Sequence, residues 1–235
     1  MNILYKEFSK NTGYAVIGAA GLAGLLLLVE HLCGIRLMEW SNTAFCLGFA
    51  ASIIGVAYIL TIKNPNNYLG FYGGIAMSLL LAAQFVLNKQ YDLVVLYLAV
   101  FIPFLIRSIV VWKKGEDNGL QPAWLSRKAQ LLTLLVALLI IAADYALNTC
   151  VIYKDTWIDN ILLKLMSAML ICTSTIANYW LIYKKTDAWI WWVTYAAVGI
   201  VFYAILPIPN VFLIVLNIIF LLVNGAALLA WRKLC

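Results

Sequence analysis

Eight apolar runs of about 18–23 residues, separated by short stretches that hold most of the charge, restrict this chain to one class of fold. A run of that length crosses the hydrocarbon core of a bilayer as a helix. Inside hydrocarbon every backbone N–H and C=O must find its partner within the protein, and a lone apolar segment does so only as a helix. The apolar share is 65% and the charged share 11%, too little charge to cover a soluble surface. The expected fold is an all-α integral membrane protein with spans at about 14–32, 43–62, 68–87, 91–112, 129–147, 158–183, 188–206 and 210–231. These runs occupy nearly the whole sequence and leave no room for a soluble domain. The first, Tyr14–Leu32, is long for a signal peptide, and no small-x-small site followed by a soluble chain comes after it, so it reads as a retained helix.

The basic residues set the orientation. With eight spans, one side receives Lys6, Lys10, Lys63, Lys113, Lys114, Arg127, Lys128, Lys184, Lys185, Arg232 and Lys233, and the other only Arg36, Lys89 and Lys154. The basic side is expected in the cytoplasm together with both termini, in a multi-pass protein of the bacterial inner membrane. The net charge of +6 is then a topology signal, and nucleic acid is not an expected partner. Trp112, Trp157, Trp180, Tyr183, Trp189 and Trp231 lie near span ends, where an interfacial aromatic belt belongs. Turn chemistry falls between spans, at Asn64-Pro65-Asn66-Asn67, Gly115-Glu116-Asp117-Asn118-Gly119 and Pro207-Ile208-Pro209.

A weak internal repeat runs through this pattern. Spans three and four end in Val111-Trp112-Lys113-Lys114, and spans seven and eight in Ala230-Trp231-Arg232-Lys233. The pairs open with Tyr68-Leu69-Gly70-Phe71 and Trp189-Ile190-Trp191-Trp192. An offset of four spans gives both copies the same orientation, a parallel repeat. The expected organisation is an N-terminal segment with an extra helix (1–42), a first three-helix bundle (43–114), a cytoplasmic loop and linker helix (115–156) and a second three-helix bundle (157–235). That arrangement resembles the SWEET-like transporters.

Enzymatic chemistry finds little to build on. There is no G-x-S-x-G, H-E-x-x-H or Walker A sequence. Cys33, Cys46, Cys150, Cys172 and Cys235 are scattered without a C-x-x-C pair, and His31 is the single histidine, so no metal or other cofactor is expected.

Polar residues inside spans are costly and therefore informative. Span three carries Gly70, Gly73, Met77, Gln84 and Asn88 on one side; span five carries Gln130, Thr133, Asp144 and Asn148. Span six carries Lys164, Ser167, Ser174 and Asn178, and span eight Asn210, Asn217 and Asn224, with Trp231 completing the row. Helix adhesion explains any one of these stripes. Four in one small protein favour a polar pathway. Span seven adds Trp189, Trp192, Tyr195, Gly199 and Tyr203, an aromatic side suited to a flat or cationic ligand. Ring plus amides points to a flat solute with amide and hydroxyl groups. Asp144 either attracts a cationic substrate or pairs with Lys164. Glu30 and His31 lie at the outer interface, and Arg107 and Lys164 can snorkel. No Asp/Glu/His relay crosses the membrane, which favours facilitated diffusion over proton coupling.

Asp187-Ala188-Trp189-Ile190-Trp191-Trp192 resembles the E-N-W-x-x-W element of PnuC-type nicotinamide riboside (vitamin B3) transporters. Ala177-Asn178-Tyr179 stands where that family often has A-Q-W. Asn67-Tyr68-Leu69-Gly70 and Lys89-Gln90-Tyr91-Asp92 resemble its N-x-x-G and K-x-Y-x-D patterns, and Trp112 matches its terminal tryptophan. The resemblance covers residues 43–233. Tyr97-Leu98, Asn224-Gly225 and Ser167 depart from the family pattern, which bears on the substrate contacts more than on membership. The resemblance implies passive uptake of nicotinamide riboside, trapped by a cytoplasmic riboside kinase. The candidate substrate residues are Gln84, Gln130, Asp144, Asn178, Trp189, Trp192, Tyr195, Asn217 and Asn224. Another small vitamin or nucleoside as cargo, or a non-transporting subunit of a larger complex, are the alternatives. Small-residue surfaces such as Gly18–Gly24 suit packing on a further copy of the chain or equally on the protein's own core. Besides membrane lipid, the expected partner is a further copy, in a homo-oligomer with a trimer among its forms.

Overall fold

The computed structural model describes residues 2–34, 40–88, 91–118, 121–147, 149–150, 160–206 and 211–235. Arg36, Lys89, Gln90, Gly119, Asn148, Lys154, Trp157, the Pro207–Pro209 turn and Asn210 lie outside the described residues. The helices are α1 (Asn2–Cys33), α2 (Thr43–Ile62), α3 (Gly70–Leu87), α4 (Tyr91–Val95), α5 (Ile102–Asn118), α6 (Arg127–Leu147), α7 (Ile161–Ile182), α8 (Asp187–Ala204) and α9 (Val211–Arg232). A π-helical stretch, Leu96–Phe101, joins α4 to α5. Among the described residues eight spans are long and apolar enough to cross a membrane, with α4, the π stretch and α5 forming one of them. They follow the runs read from the sequence to within a few residues at each end. The chain divides into two compact units, Met1–Gln121 and Pro122–Cys235.

In the first unit, α2 starts at Asn42, whose side-chain oxygen accepts the Ala44 and Phe45 N–H groups and satisfies donors that the helix cannot. The α2–α3 turn is held by two asparagines bonding forward, Asn64 Oδ1 to the Asn66 N–H and Asn67 Oδ1 to the Leu69 N–H, both at 3.1 Å. Gly70 lets α3 leave this turn hard against α2, since a Cβ there would lie 2.7 Å from Ile62. The fully buried Phe71 then meets Trp112 of α5 edge to face at 4.7 Å. The π stretch has a local cause. Pro103 has no N–H to give and its ring crowds the carbonyl four residues back, Ala99. The helix widens there, and the Ile102 N–H bonds Tyr97 O, five residues back.

In the second unit Asn160 caps α7 through the Leu162 N–H. Lys184, in the turn between α7 and α8, takes a left-handed φ of 50° that allows the chain to reverse within a few residues. Trp189 and Trp231, both fully buried, meet edge to face at 5.4 Å. Met166 and Leu170 of α7 pack on Val198 of α8, with Tyr195 and Phe202 beside them. α6 packs on α7 through Ala137, Cys172 and Ile176, and Trp180 Nε1 donates to Thr133 Oγ1 at 3.1 Å. Leu131, Leu132, Leu135, Leu138 and Leu139 of α6 are exposed, as a lipid-facing surface requires.

Candidate functional site

In the second unit three asparagines on α7 and α9 share one hydrogen-bond pattern. Asn178 Nδ2 donates to Ser174 O at 3.0 Å, and Asn217 Nδ2 to Leu213 O at 2.8 Å, each one turn back on its own helix. Asn224 Nδ2 reaches across to Trp192 O of α8 at 3.5 Å. With one N–H of the nitrogen spent on a carbonyl, each amide still has its oxygen, an acceptor, beside its second N–H. The oxygens of Asn217 and Asn224 are buried and have no hydrogen-bond partner. A buried acceptor left unmade costs about 1–3 kcal/mol, so two of them in one bundle need a reason. Trp189 Nε1 is a third buried polar atom without a partner there.

The surroundings of the amides are aromatic and tight. Trp192 and Tyr195, both half-buried, stand edge to face at 5.5 Å on α8. Asn217 lies in a notch at Gly199, where a Cβ would clash with its Oδ1. Gly199 thus admits the amide between α8 and α9, and a side chain there would force Asn217 to shift. Trp192 is level with Asn224 and Gly199 with Asn217, two helical turns or about 10 Å along the axis. Asn178, Trp189, Trp192, Tyr195, Asn217 and Asn224 therefore belong to one three-helix bundle.

The remaining sequence candidates lie elsewhere. Gln84 of α3, in the first unit, rests its amide on α2, where a Cβ at Gly48 would meet Nε2 at 2.7 Å. Gln130, at the start of α6, donates Nε2 to Asp187 Oδ1 at 3.0 Å. Asp144, half-buried farther along α6, lies within electrostatic reach of Cys172 on α7, and Lys164 is buried on α7. Gly70 and Gly74 of α3 serve close helix approach to α2, and Ser52, Ser78, Thr133 and Ser174 bond carbonyls one turn back. In the first unit, close helix approach at Gly70 and Gly74 and back-bonding by Ser52 and Ser78 account for those small and polar residues. No group of three or more metal-ligating side chains occurs among the described residues.

The sequence reading missed the bond network around Asp187. Leu125 N–H donates to Asp187 Oδ2 at 2.8 Å, while Ala123 pairs with the turn before α8. Its partners lie about sixty positions earlier in the chain, beyond any local pattern.

Two comparisons with known proteins agree with this architecture. The profile of the family described as Nicotinamide mononucleotide transporter matches residues 45–233. The crystal structure of the vitamin B3 transporter PnuC superposes with a TM-score of 0.66 over 94% of this chain and 91% of that one, at 14% identity. No curated protein sequence matches the chain.

Proposed function

This chain belongs to the nicotinamide mononucleotide transporter family, and from that premise we propose that it carries nicotinamide riboside passively across the bacterial inner membrane. It is a multi-pass membrane transporter, not an enzyme. The observation that carries the riboside reading is the set of asparagine oxygens in α7 and α9, two of them buried without donors. Such oxygens call for a ligand rich in N–H and O–H groups, which a carboxamide and a ribose supply. The pyridinium ring matches the Trp192–Tyr195 faces, since a delocalised cation is drawn to an aromatic surface.

Trp192 and Trp189 flank the cytoplasmic side of the site, Asn178 bonds the substrate from the facing helix, and Asn217 and Asn224 add acceptors. Transport runs down the gradient, and phosphorylation by a cytoplasmic kinase traps the riboside. Both termini lie in the cytoplasm, where the basic loops place them, and the protein works as a homo-oligomer.

Titration of the purified protein by intrinsic tryptophan fluorescence tests this, with thiamine, uridine and nicotinamide mononucleotide as controls. Saturable quenching by nicotinamide riboside alone is expected. A response to the mononucleotide but not to the riboside would reassign the cargo, and silence towards all four from folded protein would remove the transport reading.

A further inference from the structure

We propose that Asp187, the acid that opens the tryptophan-rich element of α8, is a positioning residue that fastens the entry of α6 to the α7–α8 turn and so holds the Trp189 end of the site. It acts as a hydrogen-bond acceptor and not as a counter-ion for a cationic solute. The segment 122–126 runs extended over this turn. Ala123 donates its N–H to Lys184 O at 3.2 Å and accepts the Thr186 N–H at 3.0 Å, one rung of parallel pairing. The left-handed Lys184 presents its carbonyl to that rung.

Two residues farther, both oxygens of Asp187 are spent inside the protein. Oδ2 takes the Leu125 N–H at 2.8 Å and Oδ1 takes the Gln130 side-chain amide at 3.0 Å. Only 5% of Asp187 is exposed, so a cation in the transport path has little of it to approach. Its place in the first turn of α8 suits a carboxylate, because the unpaired N–H groups of a helix start carry partial positive charge. The neighbouring Thr186 is fully buried, its hydroxyl 3.1 Å from Cys235 Sγ just beyond α9. Two residues along α8 from this anchored start, Trp189 meets Trp231. A second tie, Trp180 to Thr133, lies about one turn beyond Gln130 on α6. The clasp therefore makes α6 part of the second bundle's frame and fixes where α8 begins.

The test sets charge against hydrogen bonding and takes its ligand readout from the riboside reading. In D187N the side-chain oxygen can still accept the Leu125 N–H, and the new amide can donate to the Gln130 oxygen, so the clasp survives without its charge. D187A and Q130A each break it. The measurements are nicotinamide riboside affinity and trypsin cleavage at the exposed Arg127 and Lys128, which requires the start of α6 to open. Expected are wild-type behaviour of D187N, and in D187A and Q130A faster cleavage with affinity lowered about three- to tenfold, the scale of one lost buried hydrogen bond. Affinity lost equally in D187N and D187A, with cleavage unchanged, would make Asp187 a counter-ion and overturn the proposal. Wild-type cleavage in both D187A and Q130A would overturn it as well. Where D187A fails to insert, Q130A carries the test. Cleavage needs no ligand, so if the wild-type chain does not bind the riboside, the cargo reading fails while cleavage still decides the clasp.

Discussion

Phe71 meets Trp112 at 4.7 Å in the first unit, and Trp189 meets Trp231 at 5.4 Å in the second, both edge to face and fully buried. The capping asparagines Asn42 and Asn160 are separated in the sequence by the same interval as Phe71 and Trp189. The helix sets α2–α3–α5 and α7–α8–α9 thus carry matching residues at one interval, which supports reading them as two copies of one three-helix frame. Their interiors differ. Seven residues before the last tryptophan, the first bundle has Leu105, packed on Gly74; the second has Asn224, bonded to Trp192 O. Gly74 and Trp192 again stand at that same interval. At the start of the π stretch, which adds a residue, Tyr97 holds the register of Asn217 and packs against Phe85 and Phe101. Among the described residues, the Tyr58 hydroxyl of α2 is buried without a partner, and so are two amide oxygens and an indole N–H of α8 and α9. The comparison teaches that frame and equipment are separable. One bundle keeps aromatics and glycines for packing, and its counterpart puts amides in the matching places.

Breaking the frame gives the largest effects. W112A and W231A each remove a buried indole and should lower unfolding stability by about 3–5 kcal/mol, read by thermal unfolding in detergent. Riboside affinity of the folded fraction should fall in W231A and hold in W112A; loss in both would end the division of labour. Next come the glycines. G199A drives a methyl group into the Asn217 amide, whereas G73A meets Tyr58 at an ordinary 3.6 Å. Overpacking of about 1–3 kcal/mol is expected for the first and little for the second. N224L and N217L should weaken the riboside about tenfold, and Y97F should leave it unchanged, as direct binding would report. The caps come last. N42A and N160A should each cost about 1 kcal/mol of stability, similarly in both bundles, with no change in ligand preference.

The spans were legible because hydrocarbon demands long apolar helices and confines charge to the loops, a rule strong enough to be read without neighbours. The Trp112 and Trp231 endings suggested a repeat as interfacial residues; the structure buries both indoles against Phe71 and Trp189. Asn178, Asn217 and Asn224 were visible as polar residues in apolar runs. That their nitrogens are bound, while the oxygens of Asn217 and Asn224 are not, was hidden, because it depends on Ser174, Leu213 and Trp192 carbonyls set by packing. Gln130 shows the converse. Helical spacing put it in a polar stripe with Asp144, yet the structure ties its amide to Asp187, a partner supplied by a turn remote in sequence. The π stretch had a visible signal in Pro103, but a proline alone does not say whether a helix kinks, breaks or widens.

The most direct test of the central claim, that buried asparagine oxygens of the second bundle recognise donor groups, is a calorimetric titration comparing nicotinamide riboside with nicotinic acid riboside. The two ligands differ only in carboxamide against carboxylate, so the second offers no N–H and adds a negative charge facing acceptor oxygens. The account predicts at least about tenfold weaker binding of the acid, from one buried acceptor left without its donor, and a smaller gap in N224L. Equal affinity for the two ribosides in the wild-type protein would contradict it.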